Sequence, residues 1–265
     1  MMITIAEYAW PPTVAEAHAL LGARPDAAVI GGGVFLRMAS RRIGLAVDLS
    51  RAGLDYIDET DTAIEIGAMT TFGALEKSAA LSRYFDGLIP KAIGNIPGVQ
   101  LRNMVTVGGT VYGRYGFSEL ITALLALDCQ VVLHKAGEMG LADFLQPMEK
   151  DRDILVKIRL KSQALRASYQ MFRNSAGSLP ILSVAVTKSR AGYRIALGAR
   201  PGVATLAEAA MAYLGTAEKS ETALAKAGEM AAAELNFGND RRASGVYRSE
   251  LCKVLVKRAL LEVER

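Results

Sequence analysis

The sequence is poor in the residues that build metal and redox centres. It holds two cysteines, Cys129 and Cys252, and two histidines, His18 and His134, in 265 residues. The cysteines lie far apart and neither belongs to a CxxC pair, so a disulfide framework, a four-cysteine iron–sulfur cluster and a cysteine-based zinc site are not expected in this chain. The histidines lack the spacing of a helical metal pair and read as surface or packing residues, which leaves no metal site. Charge of one sign is also scarce. The 31 basic and 27 acidic residues leave a net charge of +4, and the basic ones are dispersed apart from pairs such as Arg41-Arg42 and Arg241-Arg242. Nucleic acid is therefore not an expected partner. Long apolar runs are missing as well: the strongest, LITALLAL at 120–127, is too short to span a bilayer. The opening MMITIAEYAWPP has neither the basic-then-apolar order nor the small-residue cleavage pattern of a secretory signal. A cytoplasmic protein without a membrane span is the expectation.

What is present is a folding chain, 51% hydrophobic and 22% charged, with patterning that alternates between helix and strand. TVAEAHALLG (13–22) reads as a short helix, with Thr13 as cap, Glu16 as its box partner and Gly22 as its end. DAAVIGGG reads as a buried strand entering a glycine turn, and GLAVDLS (44–50) and AIEIGAM (63–69) read as strands. TTFGALEKSAAL, 86–95 and FSELITALLALD read as helices, the last with Ser118 as a possible cap; CQVVLH returns to strand, and 136–152 is a turn-rich connection. This alternation implies a layered α/β domain. After DILVKIRLK the pattern changes to a small antiparallel sheet (SYQMFR, ILSVAVTKS, YRIALGA), alanine-rich helices over 205–235 and a last helix near 246–263. In that last helix Tyr247, Leu251, Val254 and Leu255 are predicted to form one apolar face. The expected fold class is α+β, with a layered first domain over 1–162, divided near 55 into subdomains 1–55 and 56–162, and a second domain over 163–265.

Two glycine segments carry the chemistry. IGGGVFL (30–36) is not a full GxGxxG, since its third glycine would fall on Leu36, and neither segment continues into Gly-Lys-Ser/Thr. What remains is a pair of turns, 31–33 and 108–109, each read as following an apolar strand. Glycine removes the Cβ and permits positive φ, so successive N–H groups can converge on an anion, and two such turns could hold one pyrophosphate. Simple tight turns are the alternative on spacing alone. Thr106, Thr110 and Ser118 add hydroxyl donors, and Glu119 offers an acceptor for a ribose or ribityl hydroxyl. Arg102 reads equally as a phosphate ligand or as a tie to backbone carbonyls.

The order YAWPPTVAEAHALL, AVIGGGVFL, AVDLS, IEIGAMTTFGALEKS, QLRNMVTVGGTV, LLALDCQVVL and DFL resembles the FAD-binding medium subunit of the molybdenum hydroxylases, the xanthine dehydrogenase and carbon monoxide dehydrogenase family. LSVAV, IALGARPGVATLAEAAMAYL and SGVYRSELCKVLVKRAL are similar to that family's small carboxy-terminal domain. The resemblance implies the two-subdomain FAD-binding fold of the vanillyl-alcohol-oxidase type, followed by a small antiparallel sheet with a helix bundle. It implies that Gly31, Gly32, Gly33, Val34 and Phe35, together with Thr106, Gly108, Gly109 and Thr110, cradle the pyrophosphate. Glu119 would take the acidic position beside the flavin sugar chain, and Ile154 and Leu155 the apolar pair at the isoalloxazine edge. No residue of this chain need be catalytic. The chain departs from the family at Val34 and Phe35, usually small or polar, at Thr110, usually Asn, Asp or Ser, and at SLP (178–180). Tyr112, Arg114 and Tyr115 are unusual neighbours of the second motif.

The implied function is an FAD-dependent oxidoreductase subunit that carries electrons within a heteromeric enzyme. The molybdenum cofactor is expected in a large partner subunit and 2Fe–2S clusters in a small iron–sulfur partner, with NAD or another compound as acceptor. A stand-alone flavin reductase and a structural subunit that holds FAD weakly or not at all are the alternatives.

Overall fold

The computed structural model describes residues 3–38, 40–146 and 152–265. In chain order the first elements are β1 (Thr4–Ala9), α1 (Val14–Ala23), β2 (Ala27–Ile30), β3 (Arg42–Asp48), β4 (Ile57–Glu59) and β5 (Ala63–Gly67). Helices α2 (Phe72–Lys77), α3 (Ala79–Tyr84), α4 (Leu88–Gly94), α5 (Val99–Arg102), α6 (Val107–Tyr112) and α7 (Glu119–Ala126) follow. Then come β6 (Gln130–Leu133), β7 (Gly137–Gly140), α8 (Leu141–Phe144), β8 (Leu155–Lys161), β9 (Arg166–Phe172), β10 (Leu182–Ser189), β11 (Gly192–Gly198) and β12 (Thr205–Leu206). Three helices close the chain: α9 (Glu208–Thr216), α10 (Glu221–Glu234) and α11 (Gly245–Glu264). The turn-rich stretch expected through 152 includes 147–151, which lie outside the described residues.

The chain divides into two compact units, one built from 1–77, 98–113 and 130–162 and the other from 78–97, 114–129 and 163–265. In the first, a parallel sheet runs in the order β1-β3-β2. Leu45, Ala46 and Val47 of the central strand are all buried, as a strand covered on both faces requires. A parallel pair cannot be joined by a hairpin, so the link from β2 to β3 must carry the chain back along the sheet. Residues 31–41 make that crossing and place the first glycine segment at the carboxyl end of β2. A five-stranded antiparallel sheet, β4-β5-β8-β6-β7, completes the unit.

Local signals explain the element boundaries. Thr13 caps α1 by accepting the Glu16 N–H, and its hydroxyl meets the Glu16 carboxylate at 3.0 Å. Gly22 does not end this helix; Ala23 does, and Arg24 leaves in an extended conformation. The helix predicted over 70–81 is two, because the Ser78 hydroxyl accepts the Leu81 N–H and starts α3 afresh.

In the second unit an antiparallel sheet runs β12-β11-β10-β9. Helices α9, α10 and α11 bury Ala210, Leu214, Leu224, Ala227, Cys252, Leu255, Val256 and Leu260 in one core with Leu182, Val184, Val186 and Ile195 of the sheet. Helix α7 is buried at every position, which suits its almost wholly apolar sequence.

The predicted face of α11 is wrong by a rotation. Tyr247 and Val254 are exposed, at 45% and 44%, while Arg248, Cys252, Leu255, Val256, Ala259, Leu260 and Val263 point inward. The physical reason is Arg248, which is fully buried. Its guanidinium donates to the carbonyls of Ile181 (2.9 Å), Gly238 (2.6 Å) and Ala243 (2.8 Å) and to the Asp240 carboxylate (2.6 Å). Apolarity at helical spacing treats an arginine as outward-facing, but this one has enough acceptors to stay inside. Burial alone would raise the Asp240 pKa; hydrogen bonds from Arg248, Arg242 N and Ala243 N outweigh it and hold the group at about 2. Replacing Arg248 with Met strands these acceptors and is expected to lower unfolding free energy by about 3 kcal/mol. Urea denaturation at neutral pH measures this; a loss below about 1 kcal/mol would show that the clasp does not hold the 238–243 loop.

Candidate functional site

The first glycine segment packs directly against the second. A Cβ on Gly32 would coincide with the Met104 carbonyl, and one on Gly31 would stand 2.6 Å from Thr106 Oγ1, so the backbone can pass here only without side chains. Gly33 follows with φ +68°, turning the chain into a single 3-10 turn at Leu36–Met38. Thr106 Oγ1 accepts the N–H groups of Gly32 (3.4 Å) and Gly109 (3.2 Å). One buried hydroxyl thus ties the two segments together.

The second segment differs in kind from the expected strand-and-turn. Gly108 and Gly109 lie inside α6, whose cap is Thr106 and which follows α5 rather than a strand. The N–H groups of α6 are already used: Val107 donates to Thr70 O (3.0 Å), Gly108 to Ala68 O (2.7 Å), Gly109 to Thr106 Oγ1 and Thr110 to Thr106 O (3.1 Å). The first segment contrasts with it. Among the described residues the N–H groups of Gly33 and Val34 and the hydroxyl proton of Thr106 meet no acceptor. Successive N–H groups without partners on a glycine turn, with a hydroxyl donor on the segment packed against that turn, are the donors a nest offers a phosphate-type anion and are compatible with a diphosphate.

Ile154 and Leu155 belong to the same unit and are buried at the start of β8. Asp153 precedes them, and sequence reasoning missed it. Its carboxylate, 5% exposed, accepts the N–H groups of Lys135 (3.1 Å), Ala136 (2.9 Å) and Ile154 (2.7 Å). The legible clue was an aspartate directly before an apolar strand, where a side chain can cap backbone N–H groups. Arg102 Nε donates to the Glu76 carboxylate at 2.8 Å, a side-chain partner that neither expectation named. His18 and His134, isolated in sequence, have ring centroids 5.1 Å apart. Among the described residues no three His, Cys, Asp or Glu side chains converge as a metal site.

Glu119 belongs to the other unit and heads α7, where Ser118 caps the helix by accepting the Ile121 N–H. The residue is 6% exposed, and burial pushes its carboxyl up to about 7, against the opposing pull of its own backbone N–H and of Arg173. Tyr169 is half-buried in the same unit, with its hydroxyl enclosed. Burial and then the Glu119 charge hold its phenol well above the ordinary tyrosine range, and its hydroxyl lies beside Ser183 without reaching hydrogen-bonding geometry to any described residue. Glu119 and Tyr169 thus influence each other through charge, and the enclosed Tyr169 hydroxyl has no hydrogen-bond partner among the described residues.

Residues 3–160 match the family described as the FAD binding domain in molybdopterin dehydrogenase, and residues 167–263 match the CO dehydrogenase flavoprotein C-terminal domain. The nicotine 6-hydroxylase medium subunit of Paenarthrobacter nicotinovorans is 26% identical, over 99% of this chain and 98% of its own length. The nicotinate dehydrogenase FAD-subunit of Eubacterium barkeri is 29% identical over 52% of this chain and 50% of its own. Among solved structures, carbon monoxide dehydrogenase from Hydrogenophaga pseudoflava, in a form lacking the Mo-pyranopterin moiety of its cofactor, superposes with a TM-score of 0.92. The two chains are 26% identical, with 100% of this one and 99% of that one covered.

The Glu119 shift has a measurable sign. Its ordinary value is 4.5 and its folded value about 7, so folding favours the protonated form. The stability this contributes is complete below pH 4.5 and is lost as pH rises through 7, by about 3 kcal/mol at pH 8. Glu119→Gln removes this dependence. In denaturant titrations its stability relative to the parent should be greater at pH 8 than at pH 5; an equal difference at both pH values would show that the carboxyl titrates in water.

Proposed function

The chain belongs to the FAD-binding medium subunits of the molybdenum hydroxylase family, and from that premise we propose that it holds FAD and passes electrons inside a heteromeric enzyme. The observation that carries this reading is that the Gly33 and Val34 N–H groups have no partner among the described residues, on a turn that the Thr106 hydroxyl holds through Gly32. These three donors would hold the pyrophosphate of FAD, within the proposed set Gly31, Gly32, Gly33, Val34, Phe35, Thr106, Gly108, Gly109 and Thr110. Because the donors of α6 are engaged, Gly108, Gly109 and Thr110 serve as the wall that supports the nest.

Glu119, with a pKa near neutrality, can accept from or donate to a hydroxyl of the flavin sugar chain. Ile154 and Leu155 would line the isoalloxazine edge and keep water from it. When bound, FAD supplies two-electron storage between an iron–sulfur donor and an acceptor such as NAD; the protein's part is orientation and electrostatics. The partners in this reading are a large subunit with the molybdenum cofactor and a small subunit with 2Fe–2S clusters. The domain division near 162 is part of the same proposal, with the FAD-binding region before it.

Purification from the native source should yield a yellow complex containing molybdenum and iron–sulfur partners, with about one FAD per copy of this chain. NADH should bleach the flavin if NAD is the acceptor. A colourless complex after washing would reject FAD binding, and a yellow chain purified without those partners would reject the heteromeric role.

Gly32→Ala tests the nest itself. The added Cβ forces the 31–34 loop away from Met104, and FAD affinity should fall at least about tenfold, the effect of roughly 1.4 kcal/mol. The FAD-to-protein ratio after gel filtration reports it; unchanged retention would place the phosphate elsewhere.

A further inference from the structure

Helix α6 connects the nest to the start of β8 by hydrogen bonds at both of its ends. At its head, Thr106 fixes Gly32, and Gly108 N–H donates to Ala68 O (2.7 Å), while Ala68 N–H donates to Val156 O (2.9 Å). At its foot, the Tyr112 hydroxyl accepts the Asp153 N–H at 3.3 Å. The Tyr112 ring packs against the buried Phe144, with centroids 6.0 Å apart.

Asp153 extends this contact into the sheet. Its carboxylate gathers the N–H groups of Lys135, Ala136 and Ile154, and Ile154 O in turn accepts the His134 N–H at 2.9 Å. The pairing of β6 with β8 shifts register between Val132 and Leu133, so the ladder is interrupted at this point. Such an irregularity re-aims side chains; pairing resumes beyond it at Leu133 with Leu155 and at the His134–Ile154 bond, and the Asp153 contacts act on the same segment. Tyr112 and Asp153 occupy that place.

We propose that Tyr112 is a positioning residue for the flavin ring, acting through the Asp153 backbone to set the Ile154–Leu155 segment relative to the phosphate nest. The proposal rests on the reading above, in which that segment borders the isoalloxazine. Helix α6 has six residues, about 9 Å of rise, so a single short element links the Thr106 end, which holds Gly32, to the Tyr112 end, which meets Asp153.

A merely structural Tyr112 would show itself differently. The side chain is 40% exposed, and a phenylalanine keeps its ring contact with Phe144 while it loses the long hydrogen bond from Asp153 N–H. Tyr112→Phe should therefore melt within a few degrees of the parent and retain FAD within about twofold. The ratio of its affinities for reduced and oxidised FAD, read as the flavin midpoint potential, should change by about threefold or more. The resolved shoulder of the flavin absorption band should change with it. Asp153→Asn should move both readouts in the same direction, and Asp153→Glu, which keeps the carboxylate, should recover them in part. A Tyr112→Phe protein with FAD bound and with unchanged potential and spectrum overturns the positioning role alone. A parent protein that binds no FAD overturns the functional reading and this proposal together.

Discussion

The contact on which the first unit depends is the approach of the Gly31–Gly32 backbone to Met104 and Thr106. Two chain segments more than 70 residues apart in sequence meet with no room for a side chain between them. The Thr106 hydroxyl can accept from both because its helix begins at that residue, and the cap therefore serves two purposes. Since α6 spends its own N–H groups on Thr70, Ala68 and Thr106, the exposed donors are left on the first segment alone. The two glycine motifs have separate tasks: one presents N–H groups and the other supports it.

Burial of polar groups organises the second unit in two contrasting ways. Arg248 is inside with a set of acceptors around its guanidinium, so its charge persists and fastens the chain before α11. Glu119 is nearly as deep without comparable donors, and desolvation therefore dominates and moves its pKa toward neutrality. The first arrangement is complete and stabilises the fold. The second is incomplete, the condition expected of a surface whose remaining hydrogen bonds come from a ligand.

Much of the architecture was legible in the sequence. Caps at Thr13 and Ser118, the apolar runs of β2, β3 and β6, and the later antiparallel strands each arise from interactions within a few residues. The glycine segments were recognisable too, since their composition announces backbone that must pass close to something. The errors have two physical origins. Ser78 split a helix because capping competed with continued helical pairing, and the face of α11 was misjudged because Arg248 found its acceptors at Ile181 and in the segment just before its helix.

The sequence by itself determined many of the helices and strands, the position of both glycine motifs and the resemblance to a flavin-binding family. It could do so because propensity, capping and periodicity are local properties. Tertiary structure alone decided which N–H groups remain available, how Asp153 and Tyr112 brace the start of β8, and that 78–97 and 114–129 pack with the carboxy-terminal part. Those outcomes depend on hydrogen-bond partners drawn from remote segments, and no local pattern states which partners the folded chain will bring together.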